Sequence, residues 1–103
     1  MRKAEIRVND IRAGILQESE PAKKYLFSYD TNYTGPPISL TMPVREMGYE
    51  FEGFPPFFDG LLPEGFQLEG LLRIKKIDGD DFFAQLIAVG EDMVGAVTVK
   101  ELS

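Results

Sequence analysis

The side chains of this chain that could do chemistry are nearly all carboxylates. The sequence contains 17 acidic residues but neither histidine nor cysteine. It therefore lacks the commonest general base, the commonest transition-metal ligand and the thiolate nucleophile. A nucleophile activated by histidine is excluded. Disulfide bonds and thiolate metal sites are excluded as well.

Paired carboxylates remain as candidates for general acid–base work, as in a carboxylate hydrolase. The adjacent acids are Asp80-Asp81 and Glu91-Asp92, and both pairs lie where helix capping or loop solvation favours acidic side chains. Asp78-Gly79-Asp80 resembles the start of an EF-hand loop, but Val89 stands at the twelfth position, where calcium requires a glutamate. No nucleotide-binding glycine motif is present. We therefore predict no enzyme, no catalytic residue, no metal site and no cofactor.

Composition and charge favour a protein that binds another protein. Binding to nucleic acid rests on neutralising phosphates, and this chain has 11 basic residues and a net charge of −6. No run approaches the roughly 20 apolar residues that cross a bilayer, and no apolar stretch follows the first five residues as a secretory signal would. The length of 103 residues fits one domain, residues 1–103. A cytoplasmic location is the simplest interpretation.

The first half of the chain has the period-two alternation of strands. Apolar and charged residues alternate over residues 4–8, Asn9-Asp10 is a turn signal, and Gly14 marks a bulge in the second arm of the resulting hairpin. Strands are predicted at residues 4–8, 11–16, 25–29, 38–42 and 93–99, with a polar loop at 17–24.

The second half changes to helical spacing. Pro55-Pro56, Pro63-Glu64 and Asp78-Gly79-Asp80 each start a predicted helix, and Gly90 ends the third. The order of strands, helices and a final strand predicts an α+β domain: a small, mostly antiparallel sheet with about three short helices packed on it. The apolar residues assigned to the helices are Phe57, Phe58, Leu61 and Leu62, then Leu68, Leu71 and Leu72, then Phe82, Phe83, Leu86 and Ile87.

Phe66 does not share the apolar face of the second predicted helix. At about 100° per residue, the three leucines of this helix point together, whereas Phe66 points the opposite way with Glu69, Gly70 and Arg73. An aromatic side chain exposed at a glycine-flanked helix start is suited to fill a pocket on a partner. The alternative is that the helix begins later and Phe66 packs into a turn.

Several stretches resemble the N-terminal subdomain of the HipA family of toxin kinases. The specific ones are FFDGLLPEG at residues 57–65 and GEDMVGAVT at residues 90–98. The order and spacing fit over nearly the whole chain. The supporting pieces are Val8-Asn9 with Gly14, Phe27-Ser28-Tyr29 and ISLTMP at residues 38–43.

The resemblance implies a partner rather than a reaction. The catalytic parts of HipA-type kinases lie beyond this subdomain, so the chain is similar to the stand-alone antitoxins of split HipBST toxin–antitoxin systems. In such systems a HipT kinase toxin lacks this subdomain, and HipB binds DNA. The resemblance implies that the chain binds and inhibits a HipT-like kinase, with HipB in a ternary complex. The alternatives are a subunit that bridges HipT to HipB without inhibition, and an excised domain of a full-length HipA kinase.

The segment after LLPEG is the predicted contact with the kinase. An aromatic residue placed beside a mobile nucleotide-covering loop would block the closure that assembles the active site. The predicted partner-binding residues are Glu64, Gly65, Phe66, Gln67, Glu69 and Arg73.

Overall fold

A computed structural model describes residues 2–90 and 95–102 of the chain. Within these ranges five strands form one antiparallel sheet in the order β4-β3-β2-β1-β5, and three helices follow β4. The α+β prediction is confirmed. The elements are β1 (Arg2–Val8), β2 (Ile11–Glu20), β3 (Lys24–Tyr29), β4 (Tyr49–Glu52), α1 (Pro56–Asp59), α2 (Gly65–Lys75), α3 (Phe82–Val89) and β5 (Val97–Leu102).

The β1–β2 hairpin forms as its sequence predicts. Asn9 and Asp10 have φ of 51° and 66°, the positive values that a two-residue type I′ turn requires and that Asn and Asp tolerate. Ala13 is the extra residue of a bulge in β2. A Cβ on the adjacent Gly14 would lie 2.2 Å from the carbonyl oxygen of Ser28. The glycine therefore lets β3 approach β2 closely.

One face of the sheet carries the core. Alternate residues of β1, β2 and β3 point to this face, and Val99 of β5 pairs beside Ile6. Phe58 of α1 lies over it, 6.0 Å from Phe27 between ring centroids, and Phe83 of α3 stacks 6.4 Å from Tyr25. The buried apolar residues of the strands and helices are Ala4, Ile6, Val8, Ala13, Leu16, Tyr25, Phe27, Tyr29, Phe58, Phe83, Leu86 and Val99.

An ion-pair network joins the start of the chain to α3. The Arg2 guanidinium donates two hydrogen bonds of 2.8 Å to Glu18, which is only 3% exposed. It donates a third, of 3.1 Å, to Asp81. Asp81 is also the N-cap of α3 and accepts from the Ala84 amide at 3.2 Å. Burial of an unpaired carboxylate costs free energy. The pairing with Arg2 offsets this cost for Glu18, whose side chain lies on the core-facing side of β2.

The same contacts shift the pKa values of Glu18, Asp81 and Tyr25. Hydrogen bonds from Arg2 lower the pKa of Glu18 and of Asp81, against the opposing effect of their partial burial. Burial, together with the neighbouring Glu18 carboxylate, raises the pKa of Tyr25 to about 12. The Tyr25 hydroxyl donates a hydrogen bond to Glu18 at 3.2 Å. At neutral pH both carboxylates are therefore ionised and the phenol is neutral.

The predicted strand at residues 38–42 is wrong. This stretch forms only an isolated bridge between Ser39 and Met42, because a side chain satisfies its backbone polar groups. The Tyr29 hydroxyl accepts from the Ile38 amide at 3.0 Å and donates to the Met42 carbonyl. Ile38 and Met42, two of the alternating apolar residues, are nevertheless buried. The alternation therefore indicates packing into the core and not pairing in the sheet.

Other boundaries also differ from the predictions. Strand β2 extends to Glu20 through the predicted polar loop, because Gln17 and Glu18 pair with β3. Strand β4 was not predicted, although YEFE alternates. Helix α1 ends at Asp59, before Leu61 and Leu62, and the cap of α3 is one residue later than predicted. The closing strand begins at Val97 and pairs with β1; the first two residues of its predicted range lie outside the described residues.

We expect acid to unfold this chain partly through the Arg2 network. Because Glu18 and Asp81 have lowered pKa values when folded, the unfolded chain binds more protons. The contribution of this network to the free energy of unfolding is therefore fully present above the ordinary carboxyl range, about pH 4–5. It is lost as the pH falls below that range. We expect Glu18→Gln to lower the free energy of unfolding at pH 7 and to make its decrease with falling pH less steep. Urea denaturation at pH values from 7 to 3 measures both effects. The exposed control Glu52→Gln should keep the wild-type slope, and an unchanged slope in Glu18→Gln contradicts the assignment.

Candidate partner-binding surface

Helix α2 begins abruptly after an extended residue. Glu64, the N-cap, has φ −129° and ψ 164°, and makes no side-chain capping bond. Gly65 follows with φ +59°, a left-handed conformation that other residues adopt only with strain. The helix therefore starts before Phe66, and the alternative in which Phe66 packs into a turn is excluded.

The inner face of α2 packs lightly on the rest of the domain. Leu68, Leu71 and Leu72 are half-buried on one side of the helix, as their spacing predicts, but among the described residues of α2 none is fully buried. The helix ends at Lys75, and the C-cap residue Lys76 adopts the left-handed conformation and donates its amide to the Leu72 carbonyl. Contact with α3 holds α2 in place.

The outer face of α2 exposes two large apolar side chains. Phe66 is 91% exposed and Ile74 is 77% exposed. They lie eight residues apart, which is about two turns of helix, and they therefore project from the same side of it. Gly70 stands between them, and Arg73 lies next to Ile74 on the exposed side. The position of Phe66 agrees with its sequence spacing, while its role in binding stays a prediction.

The remaining predicted site residues surround Phe66 on exposed surface. Glu64, Gln67, Glu69 and Arg73 are all exposed, and in the described part of the chain none of them forms an ion pair within 4.0 Å. The structure thus brings Glu64, Gly65, Phe66, Gln67 and Glu69 together on the first two turns. It places Arg73 one turn further along.

Sequence reasoning missed Ile74 as part of this surface. The signal was available, because residue 74 lies at the i+8 position from Phe66 and falls on the polar side of the predicted helix. An apolar residue at that position has no place in the domain's own core.

Asp80 and Asp81, the candidate carboxylate pair that the structure describes, lie in different surroundings. Asp81 accepts hydrogen bonds from Arg2 and from the Ala84 amide, whereas Asp80 is exposed. The pair Glu91-Asp92 lies outside the described residues. Across residues 2–90 and 95–102, no three acidic side chains are grouped so as to hold a metal ion. Nor is any helix there long and apolar enough to cross a membrane.

A family profile and a solved structure both identify the HipA N-terminal domain. The profile of the HipA N-terminal domain matches residues 4–100. An uncharacterized protein of Haemophilus influenzae is 34% identical over 88 residues, which are 85% of this chain and 81% of the relative. A solved structure of the N-terminal domain of HipA toxin superposes with a TM-score of 0.77 at 28% identity, covering 100% of this chain and 94% of that one.

The two faces of α2 should respond differently to truncation. Leu68→Ala removes a half-buried side chain, so it should lower the free energy of unfolding by less than the roughly 2–5 kcal/mol of a fully buried leucine. Phe66→Ala should change it by no more than about 0.5 kcal/mol, because the ring contacts almost nothing. Urea denaturation followed by circular dichroism measures both. A larger loss in Phe66→Ala than in Leu68→Ala would show that the helix packs by its other face.

Proposed function

This chain belongs to the HipA N-terminal domain family, and we propose that it is a HipS-like antitoxin of a split HipBST-type system. It binds a HipT serine/threonine kinase toxin in the cytoplasm and holds that kinase inactive. It does so without catalysis of its own, and without touching nucleic acid or a membrane. The contact is made by residues 64–69, and HipB joins the complex as its DNA-binding member.

The single observation that carries this proposal is the exposure of Phe66. A phenylalanine side chain that is 91% exposed adds little to the stability of the folded chain, because its apolar surface stays in water in both the folded and the unfolded state. Large aromatic side chains in such positions are the residues that anchor protein interfaces. The core of this domain is closed without α2, so Phe66 is available to a partner without any unfolding.

The start of α2 is suited to hold Phe66 in one orientation. Gly65 takes the left-handed conformation and turns the chain sharply, while the half-buried Leu68 fixes the helix two residues later. Because the helix is already formed in the free chain, binding would not have to order a disordered segment. Glu64, Gln67 and Glu69 form a polar rim that surrounds the aromatic anchor, and such rims exclude water from the buried centre.

Inhibition then follows from steric exclusion. A kinase must close its glycine-rich loop over the nucleotide to align the phosphates for transfer. An aromatic side chain inserted beside that loop keeps it open, so no competition for the nucleotide itself is needed. The net charge of −6 speeds association with a partner of opposite charge and makes the rate sensitive to salt.

The proposal is tested with the protein encoded next to this chain, which the proposal expects to be a HipT-like kinase. Co-purification measures binding, and autophosphorylation of the kinase with and without this chain measures inhibition. The wild-type chain should bind and suppress activity. Phe66→Ala should weaken inhibition at least about tenfold, as expected for an interface anchor. Ile11→Ala, which truncates another exposed apolar residue (64% exposed) in the β1–β2 hairpin, is the matched control and should inhibit as wild type.

The outcomes separate the candidate roles. Binding with unchanged kinase activity favours a bridge between HipT and HipB, which would require all three proteins for any effect. Full inhibition by a folded Phe66→Ala chain contradicts the anchor. Absence of binding to the kinase contradicts the antitoxin role itself.

A further inference from the structure

Gly70 leaves a gap in the outer face of α2. It lies one turn after Phe66 and one turn before Ile74, so the two exposed apolar side chains rise about 12 Å apart along the helix with bare backbone between them. Both flanking side chains are exposed, at 91% and 77%. The result is a notch with an apolar side chain at each end.

The fold itself does not require glycine at this position. Apart from its chain neighbours and the backbone of its own helix, a Cβ on Gly70 would meet no described atom within 4 Å, and the φ of Gly70 is not positive. Gly14 and Gly90 differ, because a Cβ there would lie 2.2 Å and 2.1 Å from backbone oxygens. Glycine inside a helix also destabilises it relative to alanine. Nothing within the described part of the chain therefore offsets the cost of this glycine.

We propose that the Gly70 notch receives a bulky apolar side chain of the kinase, with Phe66 and Ile74 on either side of it. The inference rests on the proposed function and extends its contact from the first turn of α2 to the whole outer face. Docking of a helix through apolar side chains that lie one and two turns apart on one face is an established mode of recognition. A glycine at the centre allows the two surfaces to approach more closely than any side chain would.

The charge beside the notch specifies the chemistry of its occupant. Arg73 lies exposed on this face in the last turn of α2, and it forms no ion pair in the part of the chain that the structure describes. It places a positive charge beside the notch on a chain of net charge −6. The complementary kinase surface is an apolar side chain flanked by a carboxylate that Arg73 can pair with.

Two substitutions at Gly70 test the notch. Gly70→Ala should raise the urea midpoint of the isolated chain, because alanine favours the helix. It should nevertheless raise the Kd for the kinase at least about fivefold, because the methyl group occupies the notch. Gly70→Leu should raise the Kd further, by about a hundredfold. The control Gly79→Ala adds a methyl group before α3, where the nearest atom is Leu72 Cδ1 at 3.9 Å, and should leave the Kd unchanged.

A charge reversal tests the flanking carboxylate. Arg73→Glu should weaken binding and reduce the dependence of the Kd on salt between 50 and 300 mM sodium chloride, conditions over which screening changes strongly. Lys23→Glu, in the exposed turn between β2 and β3, carries the same change of charge and should alter the Kd much less.

The failure of this inference is distinct from that of the proposed function. If the wild-type chain binds and inhibits the kinase while both Gly70 variants bind as tightly, the notch is empty in the complex and the inference is overturned. If the wild-type chain does not bind the kinase, the proposed function and the notch are both overturned. A stabilised Gly70→Ala chain that binds more weakly supports both.

Discussion

The core is closed over Phe27 and Tyr25 by one ring from α1 and one from α3, and the arrangement of the molecule follows from this. Phe58 and Phe83 are both fully buried, and they come from the helices that precede and follow α2 in the chain. Since these two helices cover the sheet between them, α2 is left at the periphery with no buried residue among those described. Its outer face is therefore free to evolve for a partner without loss of stability to the core.

Polar contacts fix the position of α3 and, through it, the end of α2. Arg2 joins Glu18 in the sheet to Asp81 at the α3 N-terminus. The buried Gln85 amide donates to the carbonyls of Asp78 and Gly79 in the α2–α3 turn, at 3.2 and 3.0 Å. Charge-assisted and buried hydrogen bonds hold geometry better than apolar contact, which has no direction. A lightly packed helix can therefore still present its side chains in a defined orientation.

The sequence predicted what depends on local pattern and missed what depends on distant contacts. The hairpin at Asn9-Asp10, the bulge next to Gly14 and the outward direction of Phe66 all follow from residue type and spacing. The strand at residues 38–42 failed because the Tyr29 hydroxyl, which no pattern reveals, binds the backbone there. The buried Glu18 was assigned to a polar loop, because its partner Arg2 lies 16 residues away. Two features had a signal in the sequence: Ile74 lies eight residues after Phe66, and the residues of β4 alternate.

Hydrogen exchange of this chain, free and with the kinase, tests most directly whether α2 is the surface that binds. A lightly packed helix opens easily when free, so its amides should exchange quickly. The account predicts that the kinase slows exchange most strongly over Gly65–Lys75, with little change in β3 and β4. Protection confined to β4 or to residues 38–48, with α2 exchanging as in the free chain, would contradict it.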